Sequence, residues 1–232
     1  MGYPGGKYPI SLEIFEAILI TIQGGGGTFG VLTKVTIRTI PETPIAIYNF
    51  NLQTEPNSTV YWEILAYFVA QYPALSGANV SSFTYLYPNI TLDEAIGPVA
   101  SFEGVFVLPE PPSATALNDL WAPIWAHINE TYPGQTVTQT TSKVFPNLYS
   151  LFLQYADTSS AGVDKVVGSW LLPPETLTDD AIMDALVDFV GEAGARLYMV
   201  SGKGVWNAKP RGGSDAVNPA WRKALIHAGK QG

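Results

Sequence analysis

The stretch QGGGGTFGVLTKVTIRTI (23–40) sets Gly24, Gly25, Gly26, Gly27, Thr28, Phe29 and Gly30 in a row, followed at once by Val31 and a β-branched run. Glycine loses more backbone freedom on folding than any other residue. Four together therefore imply positive φ or a close approach of backbone to something else. Such a backbone can present N–H groups to a phosphate or lie flat against a ring system. A plain tight turn is the alternative. A second group lies in ARLYMVSGKGVWN (195–207). Read as a strand, this segment puts Ser201, Lys203, Val205 and Asn207 on one side at period two. Lys203 or Asn207 on that side could polarise or hydrogen-bond a hydroxyl group. Alternatively, Lys203 is an edge charge that deters strand pairing. Tyr85 and Tyr87 share a face of VSSFTYLYP (80–88). They either line a pocket or pack with their hydroxyls at a rim.

Composition narrows the field. The chain has 232 residues, 47% of them hydrophobic and only 14% charged, enough apolar mass for a real core. The net charge is −8 with no basic run, which argues against a nucleic-acid partner. There is no cysteine, so disulfides, thiolate metal sites and cysteine nucleophiles are excluded. His127 and His227 fall outside any HxxxH spacing, so no metal site is expected. The run Ala17–Ile22 is too short to span a membrane. MGYPGGKYPIS lacks the basic start and apolar core of a signal peptide. Yet N-x-[ST] sequons occur at Asn57, Asn79, Asn89 and Asn129, which tilts the reading towards a secreted glycoprotein.

The elements that must position these residues alternate along the chain. Residues 30–40 read as a strand, and PETP (41–44) breaks the pattern at a boundary. Beyond it, strands are expected at 45–53, 80–88, 100–109, 134–142, 163–173 and, last, 195–207. Asn57 or Ser58 caps a helix over 59–72 with Trp62, Leu65, Ala66 and Val69 inward. Further helices are expected over 113–130, 146–155 and 179–193. The last of these is capped by Thr178 and buries Ile182, Ala185, Leu186 and Phe189. Asn218 then caps a short helix begun by Pro219. This order predicts an α+β fold, an antiparallel sheet covered on one face by helices.

GGGTFG (25–30) satisfies GxGxxG, but a strand follows where a dinucleotide fold needs a helix. No Gly-Lys-Ser/Thr occurs, so the Walker pattern fails. Instead, GGGGTFGVLTKVTIRTIP resembles the closing segment of the PCMH-type FAD-binding domain in the vanillyl-alcohol-oxidase (VAO) superfamily. It is most similar to the berberine-bridge-enzyme-like branch of fungal FAD-linked oxidoreductases. GSWLLPPETL (168–177) resembles that family's Gly-Ser-Arg-Leu-Ile-Pro segment, with Trp170 where Arg is usual. VNPAWRKALIH (217–227) resembles its Asn-Pro-Ala-Trp-Arg stretch.

The resemblance implies FAD as cofactor. Gly24 to Val31 would pack against it, and residues 1–44 would end the FAD-binding domain. Residues 45–232 would form a substrate domain that is incomplete at its C-terminus. It implies hydride transfer from an alcohol, sugar or secondary metabolite to flavin. Lys203, Asn207 and Tyr85 are the candidates for polarising the substrate or taking its proton. Most of the flavin domain, with the His and Cys that carry covalent flavin in relatives, would lie outside this chain. Two alternatives stay open: a non-catalytic substrate-domain remnant, and a small-ligand or carbohydrate-binding module.

Overall fold

The computed structural model describes residues 24, 31, 33, 34, 36, 39, 41–156, 166–199, 203–210 and 215–231, without the side chains of Lys203 and Gln231. Its strands are β1 (Ile45–Thr54), β2 (Ser81–Asp93), β3 (Gly97–Pro109), β4 (Val137–Phe145), β5 (Val167–Leu172), β6 (Ala195–Met199) and β7 (Ile226–Gln231). They form one sheet in the order β4-β1-β3-β2-β6-β7-β5, antiparallel throughout. The helices are α1 (Thr59–Val69), α2 (Tyr72–Gly77), α3 (Ala116–Thr131), α4 (Leu148–Tyr155), α5 (Ile182–Val190) and the single turn α6 (Lys203–Trp206). The expected α+β architecture is present.

Alternation along the central strands divides the sheet into two faces. In β1, Ala46, Tyr48, Phe50 and Leu52 are buried, while Asn49, Asn51 and Gln53 between them are half-buried. In β3, Phe102, Phe106 and Leu108 are buried, while Glu103, Val105 and Val107 are not. A period of two with this contrast is the mark of a sheet whose faces meet different surroundings. The buried positions meet a helix layer. Ser58 Oγ accepts from Val60 N at 3.2 Å and caps α1. That helix buries Tyr61, Ile64, Leu65, Phe68 and Val69, a stripe at i, i+3, i+4, i+7 and i+8. Leu65 and Val69 are inward as expected, but Trp62 and Ala66 lie at the margin because the larger Tyr61 and Phe68 take the core positions.

The centre of the core is aromatic. Trp121 of α3 is fully buried, with ring centroids 4.5 Å from Phe106, 4.9 Å from Phe68 and 5.4 Å from Tyr48. Two buried phenols anchor helices to strands. Tyr61 Oη donates to Ser101 O at 3.2 Å. Tyr72 Oη and Thr84 Oγ1 are hydrogen-bonded at 3.0 Å, and Thr84 Oγ1 donates to Leu197 O at 3.1 Å.

Burial pushes both phenols well above their ordinary value of 10.0, because a phenolate there would lose its hydration. The folded state thus holds these protons more tightly than the unfolded chain. Their contribution to stability is full below pH 10 and is lost as pH rises above it, by about 1.4 kcal/mol per pH unit for each group. We expect chemical denaturation at pH 9, 10, 11 and 12 to show a steep fall that begins near pH 10. The fall should become shallower in Tyr72→Phe.

Three expectations are corrected. First, the strand read over 195–207 ends at Met199. Lys203–Trp206 is a helical turn and Asn207 lies in the turn after it, so Lys203, Val205 and Asn207 do not share a strand face. The local cause is tertiary. Trp206 Nε1 donates to Ala224 O at 2.7 Å and Arg222 Nη1 donates to Val205 O at 3.3 Å, bonds that a continuing strand could not make. Second, the last strand is β7, which fills the slot between β6 and β5. Helix at the C-terminal end is confined to the 3-10 turn Pro219–Arg222, where Asn218 Oδ1 accepts from Ala220 N at 2.9 Å as expected. Third, of the strand read over 30–40, the described residues Val31, Thr33, Lys34, Thr36 and Thr39 are not in a strand. A strand needs a hydrogen-bonded neighbour, and no described strand pairs with them. In α5, Leu186 is buried but Ala185 is exposed.

Candidate functional site

Among the described residues, the sheet face opposite the helix layer is covered by a helix at one end. There α4 lies over Ile45, Ile47 and Phe145, with Leu151 inserted among them. Asn147 caps that helix, its Oδ1 accepting from Ser150 N at 2.9 Å. Away from α4, the face carries polar and aromatic side chains that the strand register sets side by side. One row runs Asn51, Glu103, Tyr85, Arg196, Gly229 across β1, β3, β2, β6 and β7. A neighbouring row runs Asn49, Val105, Phe83, Tyr198, His227. Strands lie about 4.8 Å apart, so the side chains from Asn51 to Arg196 span roughly 14 Å.

Several contacts fix this surface. Asn51 Nδ2 donates to Glu103 Oε2 at 3.0 Å and to Ser101 Oγ at 3.3 Å. One carboxylate oxygen is thereby held in place within the row. Asn49 Nδ2 donates to Thr141 Oγ1 at 3.2 Å and to Tyr155 Oη at 3.3 Å. The Tyr85 and Tyr87 rings lie parallel, 6.4 Å apart at 3°. The Arg196 guanidinium sits 5.4 Å from the Tyr85 ring centroid, within cation–π range. Burial raises the Tyr87 phenol above its ordinary value, and the Glu103 charge adds to this while Arg196 opposes it. Tyr87 therefore keeps its proton at neutral pH and can donate a hydrogen bond. At the far end of the row, Tyr87, Gly194, Arg196 and Gly229 line a notch of about 60 Å³.

Sequence reading placed Tyr85 and Tyr87 on one face, and they are together. It did not find Asn51, Ser101, Glu103, Arg196 or Tyr198. Their signal was present: polar residues at period two inside otherwise apolar strands, as in NFN (49–51) and SFE (101–103). Lys203 and Asn207 lie outside the row, on α6 and the turn after it. Trp206 packs against the core, Asp179 Oδ1 accepts from Ala181 N at the start of α5, and Arg222 pairs with Asp215.

Of the glycine stretch, Gly25, Gly26, Gly27, Thr28, Phe29 and Gly30 lie outside the described residues, and Val31 is exposed. Gly24 has φ +95°. A Cβ there would stand 2.6 Å from Val217 Cγ2 and 2.7 Å from Val217 N, so both backbone angle and space require glycine. Val217 belongs to the Asn-Pro-Ala-Trp-Arg region. Its N–H donates to Asp215 Oδ1 at 3.2 Å, and Arg222 Nη2 donates to Asp215 Oδ2 at 2.8 Å. Two of the three family-like segments thus touch. A second cleft of about 680 Å³ lies beside α4, lined mainly by apolar side chains including Ile45, Val107, Leu148 and Phe152. Among the described residues no cluster of His, Asp and Glu could hold a metal, and no helix is long and apolar enough to cross a membrane.

No protein-family model matches the sequence. An uncharacterized FAD-linked oxidoreductase of Arthroderma benhamiae is 31% identical over 216 residues, covering 88% of this chain and 35% of the relative. The FAD-linked oxidoreductase easE of Arthroderma otae is 26% identical over 229 residues, covering 93% and 35%. By sequence this chain corresponds to one part of a fungal FAD-linked oxidoreductase. It spans about a third of the length of these relatives. The fold agrees. The VAO-type flavoprotein MtVAO713 of Myceliophthora thermophila C1 superposes with a TM-score of 0.70 at 18% identity, over 82% of this chain and 35% of that one. MtVAO615 of the same organism gives 0.56 at 18% identity, over 82% and 33%.

FAD is the cofactor that these relatives imply. The open sheet face fits the ring side of such a site, since it is a flat wall of tyrosines with hydrogen-bonding groups between them. Among the described residues there is no clustered basic or glycine-lined cradle for a diphosphate.

Proposed function

We propose that this chain carries the substrate-facing wall of an FAD-linked oxidase that takes a hydride from an alcohol, sugar or secondary metabolite. The observation that carries the reading is the row Asn51–Glu103–Tyr85–Arg196 on a sheet face that the helices leave open. In this reading residues 45–232 form the substrate domain, and residues 1–44 close the FAD-binding domain with Gly24–Val31 towards the cofactor. FAD, when bound, accepts the hydride. The chain's own residues orient the substrate and take its proton.

Tyr85 is the residue we assign to proton removal, in place of Lys203 and Asn207, which stand off the row. Arg196 stands over its ring at 5.4 Å and fixes its place in the row. Glu103, fixed by Asn51, accepts a hydrogen bond from a second substrate hydroxyl or ammonium group. Tyr87 donates to a substrate oxygen. Such positioned proton transfer contributes about 10²–10⁴-fold to a rate. The four sequons support a reading in which the protein matures in the secretory pathway.

The test loads the chain with FAD and mixes it anaerobically with panels of alcohols and sugars while following flavin bleaching. Wild type should bleach with at least one class. Tyr85→Phe should slow bleaching about 100-fold or more and leave the spectrum of the oxidised flavin unchanged. Equal rates in both proteins would remove Tyr85 from the chemistry. Sugar binding without flavin retention would favour a ligand-binding module.

A further inference from the structure

The four sequon asparagines differ from the asparagines that build the fold. Asn49, Asn51, Asn147 and Asn218 each commit the side-chain amide to a hydrogen bond that joins strands or caps a turn. Asn57, Asn79, Asn89 and Asn129 are all exposed, and none of their carboxamides bonds to a described residue. Asn57 and Asn79 have φ of +57° and +65°, a region that asparagine tolerates better than most residues, so turn geometry alone accounts for them.

No such account exists for the other two. Asn89 lies at the bulge of β2 between Tyr87 and Ile90, and Asn129 lies in the last turn of α3. Asparagine is a poor former of both strand and helix. Each of these two instead sits two residues before a threonine, Thr91 and Thr131.

We propose that the chain matures as an N-glycoprotein with Asn89 and Asn129 as its principal acceptors and Asn57 and Asn79 as further ones. Their placement is selective. Asn129 is on the solvent side of α3, whose inner side carries Trp121, Ile124 and Ile128. That helix covers the sheet face opposite the open row. Asn57 is in the connection after β1, and its N–H donates to Pro88 O at 3.3 Å, beside Asn89 at the same end of the sheet. Asn79 lies in the connection before β2. No sequon occurs in the row Asn51–Glu103–Tyr85–Arg196 or in the parallel row beside it. The glycans therefore coat the helix side and the sheet ends and leave the open face bare. This inference is independent of the flavin reading.

The test is secretion of the chain from a fungal host behind an appended leader. Peptide mapping follows, after enzymatic glycan release in isotope-labelled water, which marks each formerly occupied asparagine. Occupancy at Asn89 and Asn129 is expected. Thr91→Ala and Thr131→Ala should each remove one glycan with little change in melting temperature. Thr91→Ser and Thr131→Ser should keep it, which separates loss of the acceptor motif from loss of the fold. A secreted, folded chain with either asparagine bare overturns the proposal.

Discussion

Replacing Trp121 with alanine should lower the unfolding free energy by about 3–5 kcal/mol, among the largest single-residue effects in the chain. Trp121 is fully buried at the meeting point of α1, α3, β1 and β3, and its ring contacts Tyr48, Phe50, Phe68, Phe106 and Trp125. Removing it opens a cavity between elements that are held apart by other large rings and cannot collapse freely. Trp121→Phe should cost much less. Among the described residues the buried indole N–H has no hydrogen-bond partner, so the phenyl ring removes an unsatisfied donor along with some volume. Urea unfolding followed by far-UV circular dichroism measures both. Equal losses in the two variants would mean that the cavity left by the ring does not govern this site.

The second large effect is expected at Gly24. A Cβ at φ +95° strains the backbone, and this one would also overlap Val217 N and Cγ2. Left-handed backbone costs about 1–2 kcal/mol, and overpacking of a filled space about 1–3 kcal/mol more. The obstructing atoms include backbone, so no side-chain rotation relieves the overlap. The glycine segment or the 215–218 turn must shift. Gly24→Ala should therefore weaken FAD binding by about tenfold or more, since tenfold corresponds to about 1.4 kcal/mol. The aromatic core lies elsewhere and should keep its melting temperature. Fluorescence titration with FAD and a thermal melt on the same samples check the two halves of this expectation. A variant that binds as wild type would show that the contact with Val217 has no part in presenting the segment.

Most of the layer architecture was legible in the sequence because local patterns and tertiary demands agree there. The alternation in IAIYNFNLQ reads as a strand between two unlike environments, and that is its place in β1. Ser58 and Asn218 signal their turns by side-chain chemistry alone, and both cap as read. Legibility failed where distant residues decide. GKGVW continues a strand by local pattern, yet Trp206 and Arg222 fold it into a turn through bonds to Ala224 and Val205. IHAGKQ follows a helix signal closely enough to be read with it, but the vacant edge between β6 and β5 draws it into the sheet.

The candidate site shows the same division. Tyr85 and Tyr87 are two apart in one strand, so their shared face follows from the pleat. Glu103 and Arg196 lie on two other strands, and only the register brings them to either side of Tyr85. No spacing within the chain encodes that neighbourhood. Gly24 and Val217 are joined in the same way, across nearly the whole length of the described chain.

The central claim is that this chain presents a flavin-facing surface built from the glycine segment and the open sheet face. The most direct measurement is the visible absorption spectrum of the purified chain after incubation with FAD and desalting. The account predicts a retained flavin band that is perturbed from free FAD and is lost in Gly24→Ala. A colourless wild-type protein would contradict it, and the oxidase activity could then not be assigned to these residues.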